Sequence, residues 1–273
     1  MKTILVATDF SEASLNAALY ATQLARDIGA NIKLLHVNIP VESFNQAPVV
    51  LKSERAISSA ESQLETVKSN MEIQSDREVD VQEVLLIGEF FTEMFNYCQQ
   101  IEPYIVIMGS QGSTTTERFL MGSNSVHAMR NLPWPLLTIP SGCAYTPIKK
   151  IALASDFSNT VSIPMNRIKT FRTDFNAFLD VIHVGKNKDV EPDVILRSGE
   201  MQEQLQTIDT AYHFINQENT QEGIMDFTEK NQTDILIVIP KQYGFLEQLF
   251  HKSVSKQLVL NSKIPVMVLH EVS

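Results

Sequence analysis

The chain repeats itself. Residues 3–11 read TILVATDFS and residues 150–158 read KIALASDFS, an offset of 147. The same offset carries LLHVN at 34–38 onto VIHVG at 181–185, so His36 matches His183. Further on, NLPWPLLTIP at 131–140 matches NSKIPVMVLH at 261–270 with an offset of 130. The second copy is therefore 17 residues shorter in its middle. The polar segment around 40–80 is the expected extra piece of the first copy. A period this long excludes short solenoid repeats. The 273 residues suit two domains of roughly 100–150 residues each. We expect them at residues 1–145 and 146–273. The stretch SGCAYTPIKK at 141–150, with Gly142 and Pro147, reads as the linker.

Within each copy, strand-like and helix-like patterns alternate. In the first, Ile4–Ala7 is a short β-rich apolar run. Leu15, Ala18, Leu19, Leu24, Ala25 and Ile28 then fall on one helical face. Ser11 is the expected N-cap and Gly29 the expected C-cap of that helix. Further strands are expected at Ile32–Val37, Val79–Leu86, Tyr104–Met108 and Leu136–Ile139. Helices are expected over 51–70, around Phe90–Cys98, and from Ser123. The second copy offers strands at Ile151–Ala154, Leu179–Val184, Ala211–Ile215, Ile235–Ile239 and Val266–Leu269. Such alternation predicts an α/β fold, a parallel sheet covered by helices on both faces, with right-handed crossovers.

Charge and cysteine content narrow the function. The net charge is -10, from 22 Lys and Arg against 32 Asp and Glu. The first 145 residues carry nine basic and 16 acidic residues, the remainder 13 and 16. Neither half is basic enough to favour nucleic acid or an anionic membrane as partner. Cys98 and Cys143 form no CxxC pair and no cluster with histidine, as expected of reduced thiols. The apolar run at the N-terminus is too short for a signal-peptide core, and no stretch has transmembrane length. We expect a soluble, cytoplasmic protein.

The chemistry concentrates after the fourth strand, in GSQGSTTTERFLMGSNS at 109–125. Gly109 and Gly112 flank a turn at a strand's C-terminal end, where open α/β sheets bind ligands. Glycine lets backbone N–H groups approach a phosphate closely. Gly122-Ser123-Asn124-Ser125 then opens a helix, whose N-terminus favours an anion. Ser123 and Ser125 bring hydroxyl donors. Turn-making alone explains a lone GxxG. Three of the chain's ten glycines bunched here favour a phosphate cradle. Thr8 and Asp9 close strand one. Asp9 suits a ribose hydroxyl, and equally suits capping the helix over 12–28 or supporting Ser11 in doing so. Val37 at the end of strand two reads, from the residues alone, as an ordinary strand position.

The spacing G-x2-G-x9-G-S, together with strands ending in TDFS and LLHV, resembles the universal stress protein family. The resemblance spans both halves and implies a tandem member. It implies, in each half, a five-stranded parallel sheet of order 3-2-1-4-5 flanked by helices. ATP-binding members of the family use the glycine motif for phosphates and ribose. The resemblance assigns Gly109, Gly112, Gly122, Ser123 and Ser125 to phosphate and ribose, and Asn124 to a backbone contact. It sets Thr8 and Asp9 beside the nucleoside and gives Val37 the adenine. The implied ligand is ATP, or ADP or AMP, with a divalent cation such as Mg. The second copy departs from the motif. Ile239 stands at the position of Gly109, Gln242 at that of Gly112 and Lys252 at that of Gly122. Ser253, Ser255 and Asp156 are kept. That copy reads as degenerate for ATP and as a pairing partner.

Other chemistries find less support. The chain has no G-x4-G-K-[ST] and no G-x-G-x-x-G after strand one. His127 follows Ser123 by four residues, but no acid is placed to orient it as the base of a nucleophile pair. His36 and His183 recur at equivalent strand ends without metal-ligand clustering and read as symmetric structural residues. Trp134, between Pro133 and Pro135, reads as packing. The expectation is thus a nucleotide-binding stress-response or regulatory protein with no dedicated catalytic residues and no metal-ligand set. Its two copies are expected to form an intrachain pseudo-dimer through the strands around Leu136 and Val266, with further pairing into a homodimer and unknown protein partners. The alternatives are a slow ATPase or phosphotransferase, and a scaffold sensing some other ligand.

Overall fold

The computed structural model describes residues 1–39, 49–110, 123–158, 160–185, 192–206, 208–240 and 254–271, with the backbone alone at 49–53 and 123. These fall into two compact units, Met1–Tyr145 and Thr146–Ser273. In the first, the strands are β1 (Lys2–Ala7), β2 (Ala30–Asn38), β3 (Val81–Ile87), β4 (Ile105–Gly109) and β5 (Leu136–Ile139). The helices are α1 (Glu12–Ile28), α2 (Val49–Gln74), α3 (Phe90–Ile101) and α4 (Ser123–Asn131). All strand pairings are parallel, and they give the order 3-2-1-4-5. The buried stretches of the middle strands are apolar because helices cover both faces. Ile4, Leu5 and Val6 of β1 and Ile105, Val106 and Ile107 of β4 are fully buried.

Helix α1 shows how the sequence sets its own bounds. The Ser11 side chain accepts the Ser14 N–H at the start. Gly29, at φ +65°, ends the helix in the left-handed region, its N–H returning to the Ala25 and Arg26 carbonyls. Between them Ala13, Ala17, Ala18, Ala21 and Ala25 are buried. Small residues on this face let α1 lie close against the sheet.

The second unit repeats the plan with β6 (Lys150–Ala154), β7 (Phe178–Gly185), β8 (Thr210–Asn216), β9 (Ile235–Val238) and β10 (Val266–Val268). Its helices are α5 (Met165–Phe175), α6 (Pro192–Leu205), α7 (Thr220–Lys230) and α8 (Val254–Asn261). Its pairings are again parallel and again give 3-2-1-4-5 when counted within the domain. The shortfall in the second copy lies where the sequence put it. Helix α2 has 26 residues and α6 has 14.

One difference was not expected. Helix α1 begins directly after its cap, whereas α5 begins only at Met165, six residues later than the repeat would place it. Pro164 is the reason. It has no N–H to donate back into a preceding turn, and it drives the residue before it out of helical conformation. The described residues from Thr160 to Ile163 are accordingly not helical.

Candidate functional site

The C-terminal ends of β1, β2 and β4 meet at the point where the strand order reverses, between β1 and β4. This is where open α/β sheets bind ligands. The loop after β1 is tied tightly to itself. Buried Thr8 accepts the Phe10 N–H at 3.0 Å. Its hydroxyl also lies 3.0 Å from that of Ser14. Ser14 Oγ donates to the Ser11 carbonyl at 3.0 Å, so the proton between the two hydroxyls is that of Thr8. Exposed Asp9 accepts from both the N–H and the hydroxyl of Ser11, at 3.1 and 2.5 Å. Asp9 thus steadies the residue that caps α1, one of the two roles its position allows. Phe10 takes φ +63° to complete the turn.

At the end of β2 the sheet opens. The pairing of β1 with β2 stops at Ala7 and Leu35, and the last bond runs from the Thr8 N–H to the Leu35 carbonyl, 2.9 Å. The Thr8 carbonyl would be next in the ladder. Instead it lies 2.8 Å from His36 Nδ1. Since a carbonyl only accepts, that ring nitrogen carries a proton. Ile32 and Asn38 bond towards β3, so the backbone of Val37, like that of Leu35, turns to the β1 side. There β1 has already ended. Val37 as a whole is buried, and its backbone lies one step beyond the last β1–β2 bond. His36 also packs on Phe10, with ring centroids 4.4 Å apart.

At the end of β4, Gly109 has a structural reason to be glycine. A Cβ there would lie 2.8 Å from the Ala13 carbonyl carbon and oxygen and 3.0 Å from Ser14 N. The first turn of α1 therefore sits directly on Gly109, the closeness its small-residue face permits. Ser125 is buried and donates to the Gly109 carbonyl at 3.2 Å. Its hydroxyl proton, expected to serve a ligand, here ties the first turn of α4 to the end of β4. Asn124 beside it is exposed. Gly112, Gly122 and the Ser123 side chain lie outside the described residues. So Thr8, Asp9, Val37, Gly109 and the start of α4 are brought to one end of the sheet.

Neighbouring residues settle into packing. His127 of α4 stacks on Phe91 of α3, at 4.2 Å and 8°. Trp134 meets Phe95 edge-on at 5.5 Å. Cys98, buried in α3, has its thiol pushed up to about 12 by burial, which keeps it protonated and unreactive. Among the described residues no group of three or more His, Cys, Asp or Glu side chains gathers to hold a metal ion. Among them, too, no helix is long and apolar enough to cross a membrane.

The second domain builds the same loop. Ser155 Oγ accepts the Phe157 N–H at 3.1 Å, and Asp156 accepts the Ser158 N–H at 3.0 Å. His183 Nδ1 lies 3.1 Å from the Ser155 carbonyl. What surrounds the loop differs. Phe157 is 1% exposed, where Phe10 is half-buried. Its ring lies 5.4 Å from His183 and 6.2 Å from Phe214. Arg197 of α6 donates to the Ser158 carbonyl at 3.1 Å, and Glu200 accepts from Thr160 at 3.1 Å. Side chains of β7, β8 and α6 thus pack on or bond to this loop. The symmetric structural role read for His36 and His183 is borne out by these two equivalent bonds, although the carbonyl each ring holds was not legible. Their recurrence beside the recurring DFS was the available signal.

Comparison with known proteins agrees with this architecture. The model of the Universal stress protein family matches residues 1–140 and again residues 147–270. A universal stress protein of Methanocaldococcus jannaschii is 28% identical over 142 residues, which is 50% of this chain and 81% of that protein. The crystal structure of a universal stress protein from Archaeoglobus fulgidus superposes with a TM-score of 0.76 at 18% identity, covering 98% of both chains. A functionally unknown protein from Pseudomonas aeruginosa superposes with a TM-score of 0.61 at 12% identity, covering 99% of this chain and 93% of that one. Two consecutive family matches, on a sequence that repeats and a fold that repeats with it, mean that this chain belongs to the universal stress protein family, as a tandem two-domain member.

Proposed function

We propose that the first domain binds an adenine nucleotide, ATP foremost, in the crevice between the ends of β1 and β4. The protein then acts as a nucleotide-dependent regulator in the stress response. The observation that carries this reading is the open backbone edge of Val37, set beside the Thr8–Asp9 loop and the glycine-bearing end of β4. A backbone N–H and C=O side by side suit the acceptor–donor edge of adenine. Asp9 is exposed beside it, within reach of the ribose. Gly109, Gly112, Gly122 and Ser123 form the phosphate-facing segment by sequence, with Asn124 contributing backbone and Ser125 anchoring the helix start. ATP would supply charged phosphates to the N-terminal end of α4, where the helix dipole favours an anion. A divalent cation such as Mg would accompany those phosphates.

In this reading the second domain binds no nucleotide and serves as the pairing partner of the first. The burial of Phe157 and the bonds made by Arg197 and Glu200 support the first half of that statement. The repeat itself supports the second.

The test is direct. The protein is purified without added nucleotide and denatured, and the released small molecules are identified by mass spectrometry. Gly122→Lys, which gives the first domain the residue of the second, is run in parallel. We expect adenine nucleotide near one per chain, absent in the variant. No released nucleotide, together with no ATP uptake on titration, would sink the reading.

A further inference from the structure

We propose that His36 is a positioning residue for base recognition, an inference that rests on the nucleotide reading above. Its Nδ1–H holds the Thr8 carbonyl out of the β1–β2 ladder and so leaves the Val37 N–H and C=O open to the edge of a purine.

In a parallel ladder the Val37 N–H would bond to the Thr8 carbonyl directly after the Thr8 N–H bonds to Leu35. The His36 ring stands off one face of the sheet, as strand side chains do. A carbonyl that bonds to this ring at 2.8 Å is therefore turned out of the sheet plane. The positive φ of Phe10 and the Phe10–His36 ring contact at 4.4 Å hold the peptide in that orientation. Without the imidazole, the Thr8 carbonyl is released to Val37 and the edge closes. The edge thus left open presents one donor and one acceptor. That pair fits the N1 acceptor and the 6-amino donor of adenine. It mismatches hypoxanthine, where both roles are reversed.

The second domain supplies an internal control. His183 makes the equivalent bond to the Ser155 carbonyl at 3.1 Å, so it opens the equivalent edge at Val184. There Phe157 is buried, with Phe214 beside it. One device is thus built twice and serves a ligand once.

Two measurements test the proposal. In the ligand-free protein, amide hydrogen exchange at Val37 should be at least about tenfold faster than at the paired residues of β2 that precede it. In His36→Leu, Val37 should gain protection by about the same factor, and the preference for ATP over inosine triphosphate should fall roughly tenfold. His36→Gln, whose amide can donate to the same carbonyl, should restore both. His183→Leu should protect Val184 and leave ATP affinity unchanged. A Val37 amide as protected as Leu35 in the unmutated protein overturns the proposal, and needs no variant that folds. So does a His36→Leu protein with unchanged exchange and unchanged base preference. Failure of the unmutated protein to bind ATP overturns instead the nucleotide reading, while the exchange data still decide whether His36 opens the edge.

Discussion

The two domains share one loop and differ in what is laid over it. Thr8–Ser11 and Ser155–Ser158 make the same turn, with the same bonds from the Phe N–H, from the Ser N–H and from the histidine ring. A feature kept in a domain without the glycine motif belongs to the fold before it belongs to a ligand. The Thr8 hydroxyl and the Asp9 Oδ1 are accordingly engaged in the turn. The differences are concerted. In the first domain a helix turn lies on a glycine. In the second the turn is unwound before Pro164, and Ile239, half-buried, stands where the glycine was. An isoleucine is compatible with that end of the strand only where no helical backbone covers it. The loss of Gly109's equivalent and the delayed start of α5 are therefore one change.

Breaking this pairing should give the largest effect. Gly109→Ala places a Cβ 2.8 Å from the Ala13 backbone, and backbone has no rotamer with which to move aside. We expect a loss of about 3 kcal/mol in urea unfolding, the upper range for overpacking, with nucleotide binding lost as well. Ile239→Ala, which only trims a half-buried side chain, should cost about 1 kcal/mol. Equal costs at the two positions would mean that α1 shifts freely, and the account of the concerted change would fail.

A smaller difference is expected one residue before α1. Ser11 caps a helix and accepts the Ser14 N–H at 3.3 Å. Ser158 occupies the matching place with no helix following directly. Ser11→Ala should cost about 1 kcal/mol by thermal or urea unfolding, the usual value of an N-cap. Ser158→Ala should cost a few tenths of that, an exposed-residue effect. A Ser158→Ala cost matching that of Ser11→Ala would show that the second loop also caps a turn.

Much of this architecture could be read from the residues. The repeat gave the domain number. Apolar runs gave the strands to within a residue or two, because central strands buried on both faces leave an uninterrupted signal. Ser11 and Gly29 marked helix ends through chemistry local to each position. What stayed hidden depends on contacts distant in sequence. Gly109 looked like a phosphate glycine, and the contact the structure shows there is with Ala13, 96 positions earlier. Ser125 looked like a ligand donor and donates to Gly109. The delayed start of α5 was within reach, since Pro164 is plain in the sequence, but the repeat argued for a helix there and the proline prevailed. No pattern of apolar residues announces that a histidine takes a carbonyl out of a ladder.

The gentlest contrast lies in the caps of α3 and α7, and it concerns pH. Glu89 caps α3, accepting the Thr92 N–H and hydroxyl at 2.7 Å each and the Phe91 N–H at 3.1 Å. The hydroxyl bond from Thr92, then the backbone bonds from Thr92 and Phe91, hold its carboxyl below the usual carboxylate value. Asn219 occupies the matching place before α7 and accepts the Gln221 and Glu222 N–H groups at 3.1 and 3.3 Å without a titrating group. A carboxylate whose folded value is depressed contributes its full stabilisation above the unfolded value near 4.5. It loses that stabilisation as pH falls through the lower folded value. Glu89→Asn, which gives the first domain the cap of the second, should therefore flatten the acid limb of unfolding stability measured from neutral pH down to below 4.5, with little change near neutrality. Because Glu89 is exposed to solvent, the change should be small. Asn219→Asp should do the reverse, adding an acid limb where the second domain has none at that cap. If Glu89→Asn lowers stability equally at every pH, the cap acts through shape alone, and its charge contributes nothing that distinguishes the two domains.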